Sequence, residues 1–164
     1  MGYKNWLVII AIITAVAGAW FWLRPTEQQR IRKQFLNLAD AISKNPQEGN
    51  AATAMKMLAL GNLLDEKVTI DLRDFPYNGD NSAETIVSLA SRGRALFNTI
   101  TIDILDLETV LEQPDQATSH CVLKATLLSD SYQDSTVRHV LTSLRKVDNT
   151  WRFQAVREDD ILQK

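Results

Sequence analysis

From Trp6 to Leu23 eighteen consecutive positions (WLVIIAIITAVAGAWFWL) carry no charge, and only Thr14 among them is polar. After Arg24-Pro25 the pattern turns amphipathic: Ile31, Phe35, Leu38 and Ile42 fall four, three and four apart, which predicts one apolar helix face over 26–45. Asn45 to Asn50 is dense in turn formers and ends that helix. A second helix is predicted over Ala51–Leu64, with Met55, Leu58, Leu60, Leu63 and Leu64 as its broad apolar surface and its methionines as core filler. Val68 to Asp74 alternates with the period of a strand, Phe75 to Asp80 breaks it, and Asn81 with Glu84 three residues on reads as the cap of a third helix ending near Asn98. The remainder is strand: Thr99–Glu112, Ala117–Ser129, Ser135–Asp148 and Trp151–Glu158, with a tight turn at Asn149-Thr150. Long strands joined by short loops predict an antiparallel meander, and helices gathered ahead of such a sheet predict an α+β domain with three helices on one curved face.

At ~1.5 Å per residue the 6–23 segment spans roughly 27 Å as a helix, close to the hydrocarbon thickness of a bilayer. Trp6 at one end and Trp20 and Trp22 at the other stand where amphipathic rings meet headgroups. The division expected is therefore an N-terminal signal-anchor over 1–24 and one domain over 25–164, in a single-pass protein of the bacterial inner membrane. A cleavable secretion signal, cut after the small residues around Ala15 to Ala19, is the competing reading. A core helix is disfavoured, because it would need more protein around it than remains. Arg24, Arg30, Arg32 and Lys33 favour a cytoplasmic domain by charge count, whereas the signal-like start favours an extracytoplasmic, periplasmic one, and the latter is the expectation.

Composition narrows the class without naming a substrate. A chain of 164 residues with 18 Lys+Arg, 20 Asp+Glu and a net charge of −2 lacks the basic footprint of a nucleic-acid binder. A single cysteine, Cys121, closes no intramolecular disulfide.

Helix-helix-strand-helix-strand order, the Ser82-Ala83-Glu84-Thr85-Ile86 helix start and the Val147 to Phe153 segment (VDNTWRF) together resemble the nuclear transport factor 2-like (NTF2-like) superfamily across about residues 26–158. Trp151 and Phe153 match the family's late-strand pattern, while Asn149-Thr150 replaces its usual glycine. The resemblance implies an α+β cone with an internal cavity, on a frame that hosts enzymes, carriers and assembly modules alike.

Chemistry-bearing residues are sparse. Pairing the strands of His120 and His139 through a loop centred near Tyr132 sets His139 opposite Thr126, about 20 Å from His120, so no shared metal site is expected. Asp71 and Asp103 lie on the polar phase of their strands and are expected on the solvent face. The Arg30-Ile31-Arg32-Lys33 run and the Glu158-Asp159-Asp160 tail read as solvated surface. No catalytic residue, metal or cofactor is assigned. Binding to a ligand or partner falls to the aromatic set Phe75, Tyr77, Phe97, Trp151 and Phe153, with Tyr77 favoured because it sits in a Pro-Tyr-Asn-Gly loop. The functional expectation is a membrane-anchored, non-catalytic binding or assembly module of the cell envelope, acting as a homodimer or in an envelope protein complex. The alternative is a carrier or isomerase-type enzyme for an apolar small molecule or lipid.

Overall fold

The computed structural model describes residues 25–159. Three helices, α1 (Glu27–Ile42), α2 (Asn50–Leu63) and α3 (Ala83–Leu96), pack on a six-stranded sheet. Its strands are β1 (Leu64–Asp71), β2 (Gly79–Ser82), β3 (Thr99–Gln113), β4 (Gln116–Leu128), β5 (Gln133–Val147) and β6 (Thr150–Glu158), in spatial order β2-β1-β6-β5-β4-β3. The predicted meander β3-β4-β5-β6 is antiparallel throughout, but β1 joins β6 in parallel and makes the sheet mixed. Among the described residues no helix is long and apolar enough to cross a membrane. The predicted span over 6–23, with Trp6, Trp20 and Trp22, lies outside the described residues.

Local chemistry explains most boundaries. Thr26 caps α1 by accepting from the Gln29 amide while the Gln29 side chain accepts from the Thr26 amide, a reciprocal box. The sheet bends where β3 carries one extra residue between Leu105 and Glu108, with Asp106 at φ 49°, and where the β5–β6 register slips at Ser143. The β5–β6 turn falls on Asp148 and Asn149, both at positive φ, one residue earlier than predicted. Two consecutive left-handed residues match the right-handed twist of the flanking strands, and Asp and Asn tolerate that conformation.

The core lies between α1 and the sheet. Trp151, Phe35, Phe153, Ile31, Leu60, Leu144 and Val68 are all buried, and the Phe35 and Phe153 rings meet edge to face at 5.0 Å. The Trp151 indole N–H donates to Glu27 Oε2 at 2.7 Å, so the polar atom of the largest core residue is satisfied by the first turn of α1.

Four expectations need correction. Gly79 and Asp80, read as the end of a turn, and Asn81 and Ser82, read as the cap and start of a helix, form the short strand β2 against β1, because backbone pairing with a formed strand outweighs weak propensity. The cap of α3 is Ser82, whose hydroxyl accepts from the Thr85 amide, and Asn81 instead donates to the Tyr77 and Gly79 carbonyls. On α2 only Met57, Leu60 and Leu63 are buried, while Met55 and Leu58 are 72% and 70% exposed. The β4–β5 loop is shorter than assumed, with Leu128 opposite Gln133, so His139 faces Val122 and not Thr126.

Candidate functional site

The five aromatic residues singled out from sequence do not converge. Trp151 and Phe153 belong to the core described above. Phe97 ends α3, where its carbonyl accepts from Lys44 Nζ at 2.7 Å. Phe75 and Tyr77 stand on the β1–β2 loop with ring centroids 5.8 Å apart, and Tyr77 is 47% exposed. Asp71 and Asp103 are exposed as expected, Asp103 beside Lys124 on the outer sheet face.

The sheet residues buried beneath the helices offer little acid–base chemistry. Along β4 and β5 they are Ala117, Ser119, Cys121, Val140, Thr142 and Leu144. Ser119 is satisfied by Thr109 at 2.9 Å, and burial pushes the Cys121 thiol up to about 11, so it stays protonated at neutral pH.

A charged knot lies between the helices. Arg94, buried in the last turn of α3, donates through Nη1 to the carbonyls of Ala41, Ile42 and Ser43, the last being 2.6 Å away, and pairs through Nη2 with Glu48. Lys44 reciprocates by donating to the Arg94 and Phe97 carbonyls, and Lys56 joins Glu48 at 3.1 Å. Each cation thus occupies the carbonyl end of a helix, where both hydrogen bonding and the macrodipole favour it. Burial alone would raise the Glu48 pKa. Hydrogen bonds from Lys56 and Thr53 and the charges of Arg94 and Lys56 outweigh that and hold it below its ordinary value. Arg94, Lys44 and Lys56 all hold backbone carbonyls while Glu48 pairs with two of these cations, so the knot is a clamp. Arg94 follows Ile86 and Ala90 at helical spacing on the packed face of α3, and that alignment was the one sequence sign of its burial.

Because Arg94 meets Glu48 just before α2 while Gly61 approaches Val87, α2 and α3 run antiparallel. Between them opens a groove of about 690 Å³. Met57, Leu58, Gly61 and Asn62 line one wall, and Ala83, Glu84, Val87, Ser88, Ser91 and Arg92 the other. Gly61 gives the groove its depth, since the Val87 methyl occupies ordinary contact distance, 3.6 Å, from where a Cβ would stand. Exposed Leu58 and Met55 form a ridge beside it. The sign missed in the sequence is that α2 is apolar on every side, with Lys56 its one ionisable residue, more than a helix on a small domain can bury.

The outer sheet face carries a further concave feature, about 440 Å³ between Asp106, Glu108, His120, Val122, His139 and Asp159. The corrected register makes His120 and His139 diagonal neighbours, ~7–8 Å apart instead of ~20 Å. His120 Nδ1 lies 3.0 Å from Asp159 Oδ2, and the Asp159 amide donates to the His139 carbonyl at 2.9 Å. Asp159 is therefore tied to the sheet, in contrast to the solvated tail expected. No group of three or more His, Cys, Asp or Glu is placed to hold a metal ion among the described residues.

An α+β cone of three helices on a curved mixed sheet is the nuclear transport factor 2-like fold. No protein-family profile and no curated protein matches the sequence. Solved structures do match in shape. A nuclear transport factor 2-like protein with a cystatin-like fold from Novosphingobium aromaticivorans superposes with a TM-score of 0.64 at 15% identity, over 92% of this chain and 91% of that one. A scytalone dehydratase-like protein from the same organism gives 0.61 at 12% identity, over 80% and 82%. A hexachlorocyclohexane dehydrochlorinase gives 0.60 at 9% identity, over 79% and 82%. Likeness at this level of identity carries the fold and no activity.

Proposed function

We propose that this chain is a non-catalytic binding or assembly module of the cell envelope, held at the bilayer by residues 6–23 with its cone on the extracytoplasmic side. The observation that carries the reading is the groove between α2 and α3. It is the principal apolar concavity among the described residues, it lies on the outside of the fold, and apolar side chains stand exposed beside it. Contiguous exposed apolar surface of this kind serves recognition, whereas the buried residues of β4 and β5 beneath the helices hold hydrocarbon, two hydroxyls and the protonated Cys121 thiol.

Native mass spectrometry of the full chain, gently extracted from its membrane, tests this. A protein complex free of small-molecule adduct, lost in Leu58→Asp while the circular dichroism spectrum is unchanged, is the expected result. A stoichiometric lipid or metabolite retained equally by both forms would overturn it. That outcome belongs to a second reading, a carrier or isomerase-type enzyme, which the His120–Asp159 pair favours: a carboxylate on Nδ1 fixes the orientation of an imidazole that lines an open cleft. Structural neighbours include a dehydratase-like protein and a dehydrochlorinase, so the fold accommodates such chemistry elsewhere.

A further inference from the structure

The occupant of the groove follows from how charge is arranged along it. We infer that it is a second copy of this chain, docked about a twofold axis that sets α3 of one protomer antiparallel to α3 of its partner. This rests on reading the groove as a partner-binding surface and names the partner.

Charge complementarity is the first ground. The only charged residues lining the groove are Glu84, at the start of α3, and Arg92, two turns later. They are eight residues apart, about 12 Å along the axis, with Ser88 midway. An axis through Ser88 brings each Glu84 against the partner's Arg92, and each Arg92 against the partner's Glu84. Arg92 makes no hydrogen bond or ion pair among the described residues. Glu84 interacts only with the Ser82 hydroxyl and its own amide, which leaves acceptor capacity on its carboxylate. Small Ser88 and Ser91 between the charged ends allow close helix approach.

Shape is the second ground. An isologous interface must be complementary to itself, with projection and recess on one surface. Here α3 with its small Ser88 and Ser91 is the projection, and the groove beside it, floored by Gly61 and Val87 and bounded by exposed Leu58, is the recess that receives the partner's α3. Lys56, the one ionisable group of α2, is turned away into the Glu48 and Asp40 ion pairs, so no like charge opposes the contact. An anionic bilayer surface would meet Glu84 with repulsion, and nothing in its chemistry calls for an acid and a base at mirrored ends.

The test uses the full chain in detergent micelles, with self-association measured by mass photometry across a dilution series. Glu84→Arg and Arg92→Glu each set like charges opposite one another and are expected to weaken association about tenfold. The double swap Glu84→Arg/Arg92→Glu restores it, because the exchanged pairs face each other again across the axis. Ser88→Cys is expected to form a symmetric disulfide-linked dimer on oxidation, with native Cys121 silent in its buried, protonated state. Association that is weakened by the single reversals and stays weak in the double swap overturns the antiparallel pairing, as does a dimer indifferent to all three variants. A monomeric chain whose complex with another protein is still lost in Leu58→Asp overturns self-pairing and leaves the binding groove standing. Leu58→Asp with no effect on any complex overturns both.

Discussion

Helices α1 and α2 lie side by side, yet they solve burial in opposite ways. In α1 the apolar residues other than Leu36 keep to one face, and Ile31, Phe35 and Ala39 sink between the helix and the sheet while Arg32, Lys33, Asn37 and Asp40 stay wet. In α2 apolar residues surround the axis, and after Met57, Leu60 and Leu63 have been buried against the rest of the fold, Met55 and Leu58 remain in water. The first pattern leaves only Leu36, 56% exposed, outside the burial it completes within the chain. The second leaves a surplus of two side chains in water, and that surplus lies along a groove with Glu84 towards one end and Arg92 towards the other. A helix that is too apolar for its place thus marks the proposed binding surface more clearly than any titratable residue does.

The sharpest way to break the contrast is to remove one side chain from each region. Phe153→Ala empties the site against Phe35 in the closed core and is expected to lower stability by about 3–5 kcal/mol, read as the urea unfolding midpoint. Met55→Ala removes an exposed side chain of comparable apolarity and is expected to change the same midpoint by less than about 0.5 kcal/mol. A large loss from Met55→Ala would mean that the α2 surface is already covered within the chain.

Next in size is the charged knot that joins the two regions. Arg94→Met leaves the Glu48 carboxylate buried with only Lys56 to oppose it and frees the carbonyls at the end of α1, a loss of about 3 kcal/mol. The pH dependence has a definite sign. Because the folded pKa of Glu48 lies below its ordinary value of 4.5, its ion pairs contribute stability that is fully present above that value and is lost as pH falls through the folded pKa. Glu48→Gln is expected to be less stable than the wild type at pH 7 and to show a shallower decline in stability below pH ~4.5. Equal slopes in the two proteins would remove the clamp as the source of acid sensitivity.

The comparison also explains what could be read in advance. Helix α1 and the four long strands were legible because each obeys one period over many residues, and Thr26, Pro114 and the Asp148-Asn149 turn supply local boundaries. The aromatic set was not legible as a site, since burial of Trp151 and Phe153 is decided by the register of β6 against β5 and by Glu27 reaching the indole. His120 and His139 were misplaced by the length of one hairpin loop, because shifting that pairing changes which residues are neighbours while leaving every residue's own pattern intact. The groove depends on α2 meeting α3, nineteen residues beyond its end, and on Gly61 facing Val87, neither of which any local pattern encodes. What the composition of α2 did hold was the excess of apolar residues, and that excess reads as function only once its neighbours are known.

Gly61→Ala has the smallest expected effect on stability and separates folding from recognition by sign. Glycine inside a helix is less favourable than alanine by up to about 1 kcal/mol, chiefly through the entropy of the unfolded chain. The added methyl would meet the Val87 side chain at 3.6 Å, an ordinary contact, so nothing in the fold must move to admit it. The variant should therefore unfold at a slightly higher temperature than the wild type. The same methyl fills part of the floor against which α3 of a second copy is inferred to seat, so self-association should weaken even as the protomer gains stability. A residue retained only for packing would show the two quantities moving together. Thermal unfolding and a dilution series on one preparation decide between these cases, and a rise in both stability and association would show that the space over Gly61 is not where the partner rests.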